Sequence, residues 1–65
     1  MGSFDLPSKW VFVEFENGDS QNVASQSSLS QKEADWFKDY WASRGTVTAV
    51  VLQDSKGNEI KRFKY

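Results

Sequence analysis

Cysteine and histidine are both missing from this 65-residue sequence, and proline occurs once. Without them a disulfide staple, a thiolate nucleophile, an imidazole base and a His/Cys zinc site are all excluded. The four glycines lie at or near expected turns or the N-terminus, so no glycine-rich loop is available to cradle a phosphate. No stretch approaches the ~20 consecutive apolar residues of a membrane-spanning helix. The N-terminus lacks the basic-then-apolar layout of a signal peptide, and Leu6 stands where a myristoylation signal needs Ser or Thr. A cytoplasmic protein is expected, of the small kind found among bacterial and phage reading frames.

What the chain has in quantity is aromatic residues: Phe4, Trp10, Phe12, Phe15, Trp36, Phe37, Tyr40, Trp41, Phe63 and Tyr65. Each buries roughly 150–250 Å² when covered, which offsets the small size of a chain with room for one domain. Net charge is −1, unevenly spread: residues 1–29 sum to −3, 30–44 to zero and 45–65 to +2. That balance disfavours a strong polyanion binder.

Two β-rich runs each end in turn residues. Lys9 to Glu16 leads into Asn17-Gly18, a strong hairpin signal. A two-residue turn there would set Phe15 opposite Ser20, Glu14 opposite Gln21, Val13 opposite Asn22 and Phe12 opposite Val23. The returning strand, Asp19 to Ala24, is polar and belongs at a sheet edge. Thr46 to Gln53 leads through Asp54-Ser55-Lys56-Gly57-Asn58 into Glu59 to Tyr65. With Asp54 facing Asn58, Leu52 would pair with Ile60, Val51 with Lys61, Val50 with Arg62, Ala49 with Phe63 and Val47 with Tyr65.

Between the hairpins, residues 25–30 form a polar connector. Ser30-Gln31-Lys32-Glu33 fits a capping box, with Leu29 placed to staple onto Ala34. A helix follows to about Arg44, with Gly45 just past its end. At 3.6 residues per turn Phe37 and Trp41 sit at the centre of its apolar arc, with Trp36 at the margin. The expectation is a single α+β domain, β-β-α-β-β: a four-stranded antiparallel sheet with one helix packed on one face.

One helix covers one face of such a sheet, yet the first strand is apolar on both, with Val11, Val13 and Phe15 on one side and Trp10 and Phe12 on the other. The third strand repeats this with Ala49 and Val51 against Val50 and Leu52. Either the N-terminal residues 1–8, carrying Phe4 and Leu6 ahead of Pro7, fold back across the second face, or that face meets a partner. Self-association or a protein partner is the leading expectation, with Trp10, Phe12, Trp36, Tyr40 and Arg44 as candidate contact residues, of types enriched at interface hot spots.

The stretch Ser8 to Phe15 resembles the RNP1 pattern of the RNA-recognition motif at Trp10, Phe12, Val13 and Phe15, and departs from it at Ser8, Lys9 and Val11. The resemblance covers eight residues, and the chain is too short for that family's two-helix fold. It implies by analogy that bases could stack on Trp10 and Phe12 while Lys61, Arg62 and Lys64 meet phosphates. Single-stranded nucleic-acid binding is therefore the alternative expectation.

For catalysis, Asp35 and Asp39 read as a solvated helix pair. Asp54 to Glu59 lacks the spacing and length of a calcium loop, and no nucleophile stands beside a base. No enzyme activity, cofactor, metal or membrane association is expected.

Overall fold

In the computed structural model, which describes residues 9–65, β1 (Trp10–Phe15) and β2 (Ser20–Ser25) form the first hairpin. Helix α1 (Gln31–Trp41) follows, then a single 3₁₀ turn (Ala42–Arg44), β3 (Val47–Gln53) and β4 (Glu59–Lys64). The sheet order is β2-β1-β3-β4 and every pairing is antiparallel. This is the expected α+β architecture. β2 and β3 run parallel to each other with β1 between them, and α1 is the crossover that connects them.

The helix starts where the capping box places it. The Ser30 hydroxyl accepts the Glu33 amide at 3.1 Å, and the Glu33 carboxylate accepts the Ser30 amide at 2.8 Å. Leu29 and Ala34 are both buried in one cluster, so the staple forms. The far end differs from expectation: α-helical geometry stops at Trp41 and the last residues tighten into the 3₁₀ turn before Gly45, a common way of using the final carbonyls of a helix.

α1 packs on β3 and β1, whose Val11, Val13, Val50 and Leu52 form the floor beneath Leu29, Ala34 and Phe37. Val47 joins this layer because a register shift lies between Glu14 and Phe15, which sets Phe15 opposite Val47. The N-terminal cover expected from Phe4 and Leu6 lies outside the described residues.

Both hairpin registers differ from the sequence expectation, and a bulge is the reason in each case. In the first, Phe15 donates its amide to Asp19 and Gly18 donates to Phe15, so the loop holds three residues, with Gly18 at φ +94°. A three-residue loop ending in a left-handed glycine is the next favoured hairpin after the two-residue form. Phe12 therefore pairs with Asn22, Val13 with Gln21 and Glu14 with Ser20, and a second irregularity at Val23 lets Val11 pair with Ala24. In the second hairpin the amide of Asp54 reaches Asn58 as expected, but an extra residue at Ile60 moves the partners by one. Val50 now faces Phe63, Val51 faces Arg62, Leu52 faces Lys61 and Ala49 faces Lys64. The expected grouping of Val47, Ala49, Val51, Phe63 and Tyr65 on one face is thus overturned, since Phe63 packs against the helix-side core while Ala49 and Val51 lie on the opposite face.

Candidate functional site

The candidate residues fall on two surfaces rather than one. Trp10 and Phe12, two apart on β1, share the sheet face away from α1, whereas Trp36, Tyr40 and Arg44 lie along the helix and the turn that ends it.

The open sheet face exposes less apolar surface than expected. Ala49 and Val51 are buried, Phe12 is half-buried and Trp10 is accessible, at 39%, while Ile60, the extra residue of β4, is half exposed. Arg62, on β4, reaches across β3 to β1. Its Nη1 and Nη2 donate to the two carboxylate oxygens of Glu14 at 2.9 and 3.0 Å. Its Nε and Nη2 also donate to Glu59 at 2.9–3.1 Å. A forked guanidinium between two carboxylates is a strong, geometrically specific arrangement. It holds the Glu59 carboxyl below the usual range, chiefly through the hydrogen bond from Arg62, and favours the charged guanidinium through the same two bonds. The side chain crosses the part of β3 that carries Ala49 and Val51.

This arrangement also dissolves the expected basic cluster. Arg62 is committed to Glu14 and Glu59. Lys61 pairs with Leu52 on the helix side, with its ammonium 5.2 Å from the centre of the Phe63 ring. Lys64 alone stays on the open face, opposite Ala49 at the rung shared with Glu14. Four residues of β1 separate that rung from Trp10, about 13 Å at the usual strand rise. The stacking residue and the cation are thus far apart, with a carboxylate beside the cation.

On the helix, Trp36 and Tyr40 are one turn apart and stack face to face, with ring centres 5.1 Å apart and planes 9° from parallel. They remain 58% and 62% exposed. Phe37 and Trp41 support them from the core side with edge-on contacts at 5.4 and 5.9 Å. Arg44 lies 5.3 Å over the Trp41 ring and, among the described residues, has no carboxylate within ion-pair distance. The aromatic pair is therefore fixed in place from beneath yet open above, a rigid arrangement that loses little side-chain freedom on contact.

The opposite flank of α1 is occupied by Tyr65. Its hydroxyl donates to Asp35 at 2.6 Å, and the Lys38 ammonium lies 5.5 Å from its ring centre. This contact was not foreseen, because it depends on the bulge at Ile60 that brings Phe63 and Tyr65 round to the helix side.

A groove of about 360 Å³ lies between the tip of the first hairpin and the helix end, lined by Phe15, Glu16, Asp19, Gln21 and Arg44 among others. The Asp54 carboxylate is taken up inside its own turn. Its Oδ1 accepts the amides of Asn58 and Lys56, both at 2.9 Å, and the backbone bond from Asn58 is the main cause of a pKa below the usual carboxylate range. Among the described residues no group of three or more carboxylate side chains converges as a metal site, and no helix is long and apolar enough to cross a membrane. No protein-family model, no curated protein and no solved structure matches the chain.

Proposed function

We propose that the chain is a non-catalytic, cytoplasmic protein-interaction module whose contact surface is the helix flank centred on Trp36 and Tyr40. The observation that carries this reading is the exposure of a stacked tryptophan–tyrosine pair, more than half accessible on both members, in a chain whose other described Trp and Phe side chains are less exposed. Trp, Tyr and Arg are the residue types in which binding energy concentrates, and Arg44 lies over the Trp41 ring in the turn that ends the helix. No step of chemistry is part of this reading. The carboxylates of Glu14, Glu59 and Asp54 are taken up in structural hydrogen bonds.

Nucleic-acid binding by the sheet face is the weaker reading. It would need Arg62 to leave two carboxylates, and it would place phosphates beside Glu14.

The test is site-selective cross-linking. A photoreactive phenylalanine analogue placed at position 40 should yield adducts in cells that produce the chain, and the same analogue at Ser55, in the exposed β3–β4 turn, should not. Equal labelling from both positions, or none from position 40, removes the reading. The variant Trp36→Ala/Tyr40→Ala should stay folded and shift its unfolding free energy by no more than about 1 kcal/mol, as exposed substitutions do.

A further inference from the structure

We infer that Asn17 is a site of spontaneous covalent modification, at which the main-chain nitrogen of Gly18 attacks the side-chain amide and converts it to a carboxylate. The loop of the first hairpin sets the rate. The inference is independent of the interaction reading just given.

The main-chain nitrogen that follows an asparagine can close a five-membered ring on the side-chain carbonyl carbon, and the side chain of that following residue is what hinders it. Gly18 has no side chain, and the space where a Cβ would stand holds no atom within 4 Å. Asn17 and Gly18 are both exposed, so water reaches them. The other two asparagines differ. Asn22 precedes Val23, branched at Cβ, and lies in the ladder opposite Phe12. Asn58 precedes Glu59, and both its amide and its Nδ2 are held by Asp54.

The step balances with water alone. Hydroxide or water takes the proton from the Gly18 nitrogen, which bonds to Cγ of Asn17. The Cγ–Nδ2 bond breaks, and Nδ2 leaves with a proton as ammonia. One water then opens the cyclic imide: addition at Cγ gives aspartate, and addition at the main-chain carbonyl carbon gives isoaspartate. Nothing is oxidised or reduced.

The folded loop opposes the attack at three points. The leaving Nδ2 donates to Oδ2 of Asp19 at 3.2 Å, and Oδ1 accepts the Asp19 amide at 2.9 Å, so the side chain is directed at Asp19. The attacking nitrogen donates to the Phe15 carbonyl at 3.0 Å, which retains the proton that has to be lost. Attack therefore needs the loop to open, as loops do more readily than core strands. Three hydrogen bonds of ordinary net strength slow the folded chain roughly ten- to a thousandfold relative to the unfolded one.

The products alter the loop. Aspartate at position 17 loses the donation to Asp19 and sets a like charge against it, with Glu16 alongside. All three positions line the groove at the helix end, where Arg44 is the one cation among the lining residues. Isoaspartate adds a carbon to the main chain of a loop closed by the Phe15 amide on Asp19 at 2.8 Å, and so disturbs its register.

The experiment is peptide mapping by mass spectrometry of the purified chain, held in mildly alkaline buffer with and without denaturant and sampled over time. Position 17 should become a mixture of aspartate and isoaspartate ahead of Asn22 and Asn58, and roughly ten- to a thousandfold faster in denaturant. Asp19→Ala, shown to be folded by circular dichroism, should convert several-fold faster than the folded parent because Nδ2 is released. Asp19→Asn, which keeps an acceptor, should convert like the parent, and in denaturant all three should agree. Asn17→Asp, identical to one product, should fold but melt below the parent. The inference is overturned if position 17 is inert in denaturant or reacts there no faster than Asn22 and Asn58. Control by the loop is overturned if folded and denatured chains react alike, if the folded chain is slower by more than the stated range, or if Asp19→Ala matches the parent. An Asn17→Asp variant that melts with the parent overturns the effect on the loop.

Discussion

At the scale of single residues, the contact between Tyr65 and Asp35 gives the fold a dependence on pH. Burial and the bond to Asp35 push the Tyr65 hydroxyl up from its ordinary 10.0 to about 12. A group whose pKa is raised on folding stabilises the fold fully below its unfolded value and ceases to do so as pH rises through the folded one. The window is therefore from about 10 to about 12. Asp35 acts in the opposite sense. The hydrogen bond from Tyr65, and after it the one from Gln31, hold its carboxyl below the usual range, so its contribution is present above that range and fades on acidification. Tyr65→Phe should accordingly melt a few degrees below the parent at neutral pH, and the gap should close as pH climbs through the alkaline window. Parallel melting curves across that window would show that the hydroxyl is merely adjacent to Asp35.

At the scale of elements, most signals that are local in sequence were legible, although Asn17-Gly18 closes a three-residue loop rather than the expected two-residue turn. Ser30 and Glu33 mark the helix start, the β-rich run from Trp10 to Phe15 marks a strand, and Asp54 to Asn58 marks a turn that closes as expected. The bulges were not legible, because an extra residue at Val23 or Ile60 costs little locally and is decided by which side chains the helix must cover. One residue at Ile60 is enough to send Phe63 to the core and to lay Arg62 across β3, so the sheet-face candidates were misjudged together. Trp36 and Tyr40 lie one turn apart on the surface because their spacing needs only a helix.

Gly45 shows the same coupling of local and distant demands. Its φ of +155° is a conformation that side-chain-bearing residues rarely adopt, and a Cβ there would meet Cδ1 of Phe15 at 3.3 Å. Gly18, at φ +94°, has open space around it. Gly45→Ala should therefore cost about 1–3 kcal/mol in backbone strain and should exceed Gly18→Ala by the Phe15 contact. Equal losses in denaturant titrations of the two variants would mean that the Phe15 ring moves aside without penalty.

At the scale of the whole molecule, a sheet with one helix on it has a thin core: five strand side chains beneath Leu29, Ala34 and Phe37. Domains of this size sit at the low end of the roughly 5–15 kcal/mol of ordinary stability. Removing a buried phenylalanine costs about 3–5 kcal/mol, so Phe37→Ala should leave the dilute chain largely unfolded at room temperature. Its neighbour Trp36, one residue along and mostly exposed, should tolerate alanine with little change in the same dilute conditions. Concentration separates the two further. Anything that binds only the folded form raises the unfolding midpoint by mass action, so a self-associating parent should melt higher as it is concentrated, while Trp36→Ala/Tyr40→Ala should melt at one temperature throughout. A midpoint in the parent that ignores concentration would instead mean that the stacked pair adds nothing to folding, and that its exposure serves a partner of another kind.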